Sequence, residues 1–167
     1  MPAPATQPRR ALVVVDVQND YNGGNLAIQH PPSDDSVANV ARAMDAAAAS
    51  GIKIVVVKQM APETSPIFAR GSHGGELHPE IARRARDHYV EKTLPSAFTG
   101  TDLEDWLRAN GIDTIAVVGY MTHNCDLSTI IHAVHMGFAV EFLSDASGSV
   151  HYANRAGLRR PRTSIGW

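Results

Sequence analysis

Short apolar runs separated by stretches of helical spacing set the pattern of this chain. Ala11-Leu12-Val13-Val14-Val15, Ile52 to Val57 and Ile115-Ala116-Val117-Val118 are continuously apolar rather than alternating. That continuity predicts strands covered on both faces, as in a parallel sheet. His88 to Lys92 and Phe138 to Leu143, the latter ending in Ser144-Asp145, complete a set of five. Between them, Ser33 is placed to cap a helix in which Val37, Val40, Ala41, Met44 and Ala48 share a face and Gly51 is the stop. Pro79 to Arg86 predicts a short helix. Thr101-Asp102-Leu103-Glu104 reads as a capping box ahead of Trp106 and Leu107, closed by Asn110-Gly111. Leu127, Ile130, Ile131 and Val134 then recur at helical spacing up to Gly137.

Strand and helix alternate, which predicts an α/β domain with a mostly parallel sheet and helices on both faces. Lys58 to Gly75 carries Pro62, Pro66, Gly71, Gly74 and Gly75 and reads as a long surface loop. Loops of that length in a compact domain are usually functional. Residues 1–10 read as a disordered N-terminal segment, 11–149 as the domain, and 150–167 as a basic tail without apolar periodicity, with Arg155, Arg159, Arg160 and Arg162.

At 167 residues the chain suffices for one domain with a substantial core. A formal charge of −2 gives no reason to expect nucleic acid or an anionic membrane as a partner. The first ten residues lack a secretory pattern, and no apolar run approaches bilayer-spanning length. One cysteine excludes an internal disulfide framework and suits a reducing compartment, so a cytoplasmic location is expected.

That cysteine, Cys125, falls where a strand turns into a helix, within Gly119-Tyr120-Met121-Thr122-His123-Asn124-Cys125. Unpaired N–H groups and the helix dipole at such a place favour an anion, so the thiol is expected to ionise below its free value of about 8.5. The competing reading is a buried structural thiol. Asp16 ends the first strand and Lys92 the third, so three chemically able side chains lie at the carboxyl ends of three strands. Sites in open α/β sheets are built at those ends. For Asp16 and Lys92 the plain alternative is a structural ion pair.

Asp16-Val17-Gln18-Asn19-Asp20-Tyr21, Lys92 followed by Ser96-Ala97-Phe98, and the Gly119–Cys125 stretch together resemble the isochorismatase-like cysteine hydrolases, from about Ala11 to Asn154. The resemblance implies a Rossmann-like three-layer α/β/α sandwich and an Asp-Lys-Cys triad, here Asp16, Lys92 and Cys125. It implies an oxyanion hole from the backbone N–H groups of Met121 and Cys125 and a cis peptide at Tyr120-Met121. Thr122 is read as capping the helix rather than as catalytic. Tyr21 matches a position that presents an aromatic ring to substrate, with Phe98 and Tyr120 as further candidate substrate contacts; for Tyr21 and Phe98, core packing serves equally well. The implied activity is hydrolysis of a C–N bond in a small amide, carbamoyl or ureido compound, and the implied assembly a homodimer or larger homo-oligomer.

Departures from the family pattern narrow these expectations. Nicotinamidases of the family place a metal-binding Asp-x-His after the second strand, where this chain has Lys58-Gln59-Met60-Ala61. His73 and His78 lack a matching carboxylate pattern, so neither metal nor other cofactor is expected. Members that cleave a vinyl ether lack the cysteine, so Cys125 points to amide chemistry. Family members continue past Asn154 with a helix and a sixth strand, a pattern not found here, so the sheet is expected to lack that last strand. A catalytically silent binding or oligomer-forming module on the same fold is the main rival. A nucleotide-binding reading lacks a Gly-x-Gly-x-x-Gly between strand and helix, and a thiol redox reading lacks a resolving cysteine.

Overall fold

Residues 7–154 and 157–159 are described by the structure, a computed structural model. Five strands, β1 (Arg10–Val15), β2 (Lys53–Gln59), β3 (His88–Lys92), β4 (Thr114–Tyr120) and β5 (Ala139–Gly148), form one parallel sheet in the order β3-β2-β1-β4-β5. The chain order reverses at β1, between β2 and β4, which makes the carboxyl end of β1 the switch point of the sheet. Among the described residues four α-helices accompany it: α1 (Ser33–Ala49), α2 (Pro79–Ala82), α3 (Leu103–Ala109) and α4 (Leu127–His135).

Two apolar layers arise from the pleat, which sends successive side chains to opposite faces. Leu12 and Val14 meet Val37, Val40, Met44 and Ala47 of α1 on one face. Val13 and Val15 meet Leu103 and Leu107 of α3 and Ala133 of α4 on the other. Each fully buried valine contributes on the order of 2 kcal/mol, which is why the continuously apolar runs are the central strands. The expected three-layer α/β/α sandwich is the observed one. Among the described residues no helix is long and apolar enough to cross a membrane.

Local details differ from the expectations. Ser33 is the first residue of α1 rather than its side-chain cap, with Pro32 before it and Asp34 and Asp35 in the first turn. The two carboxylates complement the dipole. Ala47 rather than Ala48 faces the sheet. The reciprocal Thr101 capping box does not form: the Thr101 hydroxyl donates to the Ala97 carbonyl (2.6 Å) and accepts the Leu103 N–H (3.4 Å) rather than that of Glu104, and the Glu104 side chain pairs with Arg108 (3.0 Å). The helix expected over Pro79 to Arg86 stops at Ala82.

In α4 most of the expected apolar face points outward: Leu127, Ile131 and Val134 are 44, 50 and 55% exposed, while Ile130 is half-buried against the core and Thr129 and Ala133 pack inward. The smaller side chains face the domain, where the Thr129 hydroxyl accepts a hydrogen bond from the Ala97 N–H (3.0 Å).

Strand β5 runs past Ser144-Asp145 to Gly148. Phe142 pairs with Val117, yet Ser147 pairs with Gly119, so extra β5 residues bulge out between the two pairs. A bulge re-aims the side chains beyond it, and here it delivers Ser147 to the turn after β4. Among the described residues β5 is a sheet edge. Arg10, expected in a disordered segment, begins β1 and forms a forked ion pair with Glu141. In the expected tail, Tyr152–Asn154 (β6) pairs antiparallel with Gly157–Arg159 (β7); Arg155, Ala156 and residues 160–167 lie outside the described residues.

Candidate active site

The site begins with the close approach of β4 to β1. Gly119 has φ 113°, and a Cβ there would stand 2.0 Å from the Val15 carbonyl oxygen. Only glycine permits both the conformation and the contact. Directly after Val15, Asp16 takes a positive φ of 52°, uncommon for a residue with a side chain and a source of local strain. Its carboxylate is fully buried beneath the cavity.

From β4 the chain passes through a cis Tyr120-Met121 peptide, as the resemblance implied, into a π-helical turn over Thr122–Asp126. The N–H groups of Asn124 and Asp126 donate to the Met121 carbonyl. Cys125 therefore sits in a wide turn preceding α4 rather than in its first α-helical turn.

Lys92, at the end of β3, reaches the same point. Its side chain is fully enclosed, and Nζ lies 2.8 Å from Asp16 Oδ2 and 3.4 Å from Cys125 Sγ. An ammonium has three N–H donors, and here Gln59 Oε1, the Leu94 carbonyl (3.0 Å) and Sγ receive them. At 2.8 Å, Nζ and the Asp16 carboxylate also form a fully buried ion pair. Asp16, Lys92 and Cys125, 76 and 33 positions apart in sequence, meet at one point.

The electrostatics correct one expectation. The turn position suggested an easily ionised thiol, but burial, reinforced by the Asp16 carboxylate, pushes Cys125 up to about 12, with Lys92 pulling the other way. Desolvation outweighs the dipole because the sulfur is shielded from water. Burial likewise raises Asp16 above the usual carboxylate range, against the pull of Lys92. A carboxylate that holds protons more tightly is a better acceptor for the thiol proton.

Above the sulfur lies a cavity of about 420 Å³. Tyr21, Leu26, Ile67 and Phe68 form one apolar wall, and Pro95 and Met121 another. Gln59, Ser65, Thr93 and Asn124 supply polar atoms. The long loop after β2 contributes much of this lining and is tied down by the segment after β1. Gln18 exchanges hydrogen bonds with the Gln59 backbone and donates to the Gly75 carbonyl (2.8 Å). The Asp20 carboxylate accepts the Phe68 N–H (2.7 Å), and Gly74 passes so close that a Cβ would stand 2.3 Å from it. Among the described residues no three His, Cys, Asp or Glu side chains converge as a metal site.

Of the other predicted contacts, Tyr21 and Met121 line the cavity. Tyr120 does not: its ring is buried against Tyr21 and its hydroxyl meets Ser36 on α1. Phe98 packs on Phe138 and His132 in the layer beneath α3 and α4, since the chain after β3 dives under α4. Thr122 does not cap α4; its hydroxyl lies 2.7 Å from Ser147 Oγ. Sequence reasoning missed Gln59, Asp20 and Asp126. An acid beside the lone cysteine was the one available signal for Asp126; the other two depend on partners distant in sequence.

Residues 10–165 match the isochorismatase domain model. A crystal structure from Burkholderia xenovorans LB400, provisionally named an isochorismatase, is 64% identical, with TM-score 0.92 over 94% of this chain and 76% of that one. The N-carbamoylsarcosine amidase of Thermoplasma acidophilum superimposes with TM-score 0.75 at 29% identity, over 85% of each chain. Nicotinamidase of Escherichia coli K12 is 28% identical over 86% of this chain and 85% of its own length. Sheet order, switch-point site and sequence match agree, and the chain belongs to the isochorismatase domain family of hydrolases.

Proposed function

We propose that this protein hydrolyses a C–N bond in a small amide, carbamoyl or ureido compound through a thioester on Cys125. The observation that carries the reading is the buried triad: one ammonium within 2.8 Å of a carboxylate and 3.4 Å of the only sulfhydryl, at the floor of a cavity. Relatives named for nicotinamide and N-carbamoylsarcosine amide cleavage support the reaction class.

The reaction starts from a Cys125 thiol, raised to about 12, beside an Asp16 carboxylate paired with Lys92 at 2.8 Å. Transfer of the thiol proton to Asp16 exchanges one anion for another beside the same ammonium, so the buried charge is unchanged. Sγ then attacks the carbonyl carbon, and the carbonyl electron pair moves onto oxygen, toward the backbone N–H groups of Met121 and Cys125. Collapse of the tetrahedral adduct breaks the C–N bond, and Asp16 returns the proton to the departing amine or ammonia. Water, deprotonated by Asp16, cleaves the thioester and releases the acid and the free thiol. Lys92 holds Asp16 in place and offsets whichever anion is present.

The test is ammonia release across a panel of small amides, with acyl-enzyme trapped on Cys125 and read by intact-mass spectrometry. Cys125→Ala should fold normally and release none. Wild-type turnover in that variant would sink the reading.

A further inference from the structure

One fully buried acid has no part in this chemistry. Asp126 directly succeeds Cys125, is 0% exposed and does not line the cavity. Its Oδ2 lies 2.6 Å from Ser147 Oγ, Ser147 Oγ lies 2.7 Å from Thr122 Oγ1, and Thr122 Oγ1 lies 3.2 Å from the Gly148 carbonyl oxygen. Three contacts in series need three protons, and two hydroxyls supply only two. The third is available if the carboxyl is protonated. Asp126 O–H then donates to Ser147, Ser147 to Thr122, and Thr122 to the Gly148 carbonyl.

We infer that Asp126 is a positioning residue held as a neutral acid, whose proton begins a hydrogen-bond chain that clamps both ends of the Thr122–Asp126 turn onto the bulged end of β5. The inference rests on reading Cys125 as the nucleophile. The turn carries Cys125 Sγ and its N–H, so loosening either end displaces the reacting groups. The charge balance agrees. Among the described residues, the ionisable groups around Asp126 are Asp16, Lys92, Tyr21, Tyr120 and the adjoining Cys125, and Lys92 is the one cation of that set. His123, in the same turn, is occupied by Ser149 and Tyr152. One ammonium cannot balance two carboxylates. Oδ1 of Asp126 has no partner among the described residues, which an ionised carboxylate would tolerate poorly. Burial pushes Asp126 up to about 7, so the acid form persists toward neutrality.

Ionisation of Asp126 removes one proton from the chain and adds an anion near the triad. Both effects lower Cys125 reactivity as pH rises through that step.

The experiment needs no substrate: Cys125 alkylation by iodoacetamide, with mass-spectrometric readout over about pH 5.5 to 9. A thiol far below its pKa should gain about tenfold in rate per pH unit. The wild type should show a break in that rise, and Asp126→Asn, whose amide can donate to Ser147 without titrating, should rise unbroken at a rate within about twofold of wild type at the acid end. Asp126→Ala and Ser147→Ala should each slow alkylation by about tenfold there, the loss of roughly one hydrogen bond. An unbroken wild-type profile overturns the inference even if every variant misfolds. A break that survives in Asp126→Asn assigns the titration to Asp16 and overturns it as well. Absence of any Cys125 alkylation sinks the nucleophile reading itself, whereas alkylation with no influence of Asp126 sinks only this inference.

Discussion

Replacing Lys92 with methionine tests the electrostatics of the triad most directly. The substitution keeps an unbranched side chain in a fully enclosed space and removes the ammonium 2.8 Å from Asp16. An unpaired buried carboxylate costs about 3 to 5 kcal/mol, unless Asp16 takes up a proton. Burial already raises Asp16, and Lys92 opposes that rise, so the variant moves its folded-state pKa further above the unfolded value. A carboxyl raised on folding binds more protons folded than unfolded. Its stability contribution is therefore fully present below the unfolded carboxyl pKa and is lost, by about 1.4 kcal/mol per unit, as pH rises toward the raised folded value.

Lys92→Met should accordingly lie close to wild type in acid and fall progressively below it toward pH 8. At the full deficit the melting temperature drops by roughly 6 to 20 °C for a domain of this size. Urea unfolding of both proteins at a series of pH values measures the trend. Adding Asp16→Asn should restore stability and flatten the pH dependence without restoring amide hydrolysis. A deficit equal at every pH, or a double variant no more stable than Lys92→Met, would refute the buried ion pair as described.

Two further outcomes are expected from local geometry. Gly119→Ala places a Cβ 2.0 Å from the Val15 carbonyl at φ 113°, so it should lose about 3 kcal/mol or more in chemical unfolding; a loss under about 1 kcal/mol would show that β1 and β4 separate easily. Asp20→Ala leaves the Phe68 N–H without its buried acceptor and should cost about 1 to 3 kcal/mol. It should also speed limited proteolysis between residues 58 and 75, and cleavage at the wild-type rate would show the loop is held by other means.

The central strands, their parallel arrangement, the helix between β1 and β2, and Asp16, Lys92 and Cys125 as strand-end residues were all legible from apolar continuity, spacing and motif. These depend on neighbours within a few residues or on the burial demanded by a continuous apolar run. The orientation of α4 was not legible, because Leu127, Ile131 and Val134 satisfy helical spacing whichever face packs. The proton affinity of Cys125 was hidden for a related reason. Position at a helix start is local, but the burial that outweighs it is tertiary, and the Asp16 charge that reinforces it comes from a part of the chain more than a hundred residues away.

The separation is physical. Chain order and side-chain chemistry specified which strands would be buried and which groups could react, because backbone periodicity and transfer free energy act residue by residue. Tertiary structure alone decided that Ser147 would be carried past a bulge to Asp126, that Gln59 would occupy one proton of Lys92, and that Phe98 would turn from the cavity. Those outcomes are set by distances between segments remote in sequence, and hydrogen bonding and charge interaction depend on such distances.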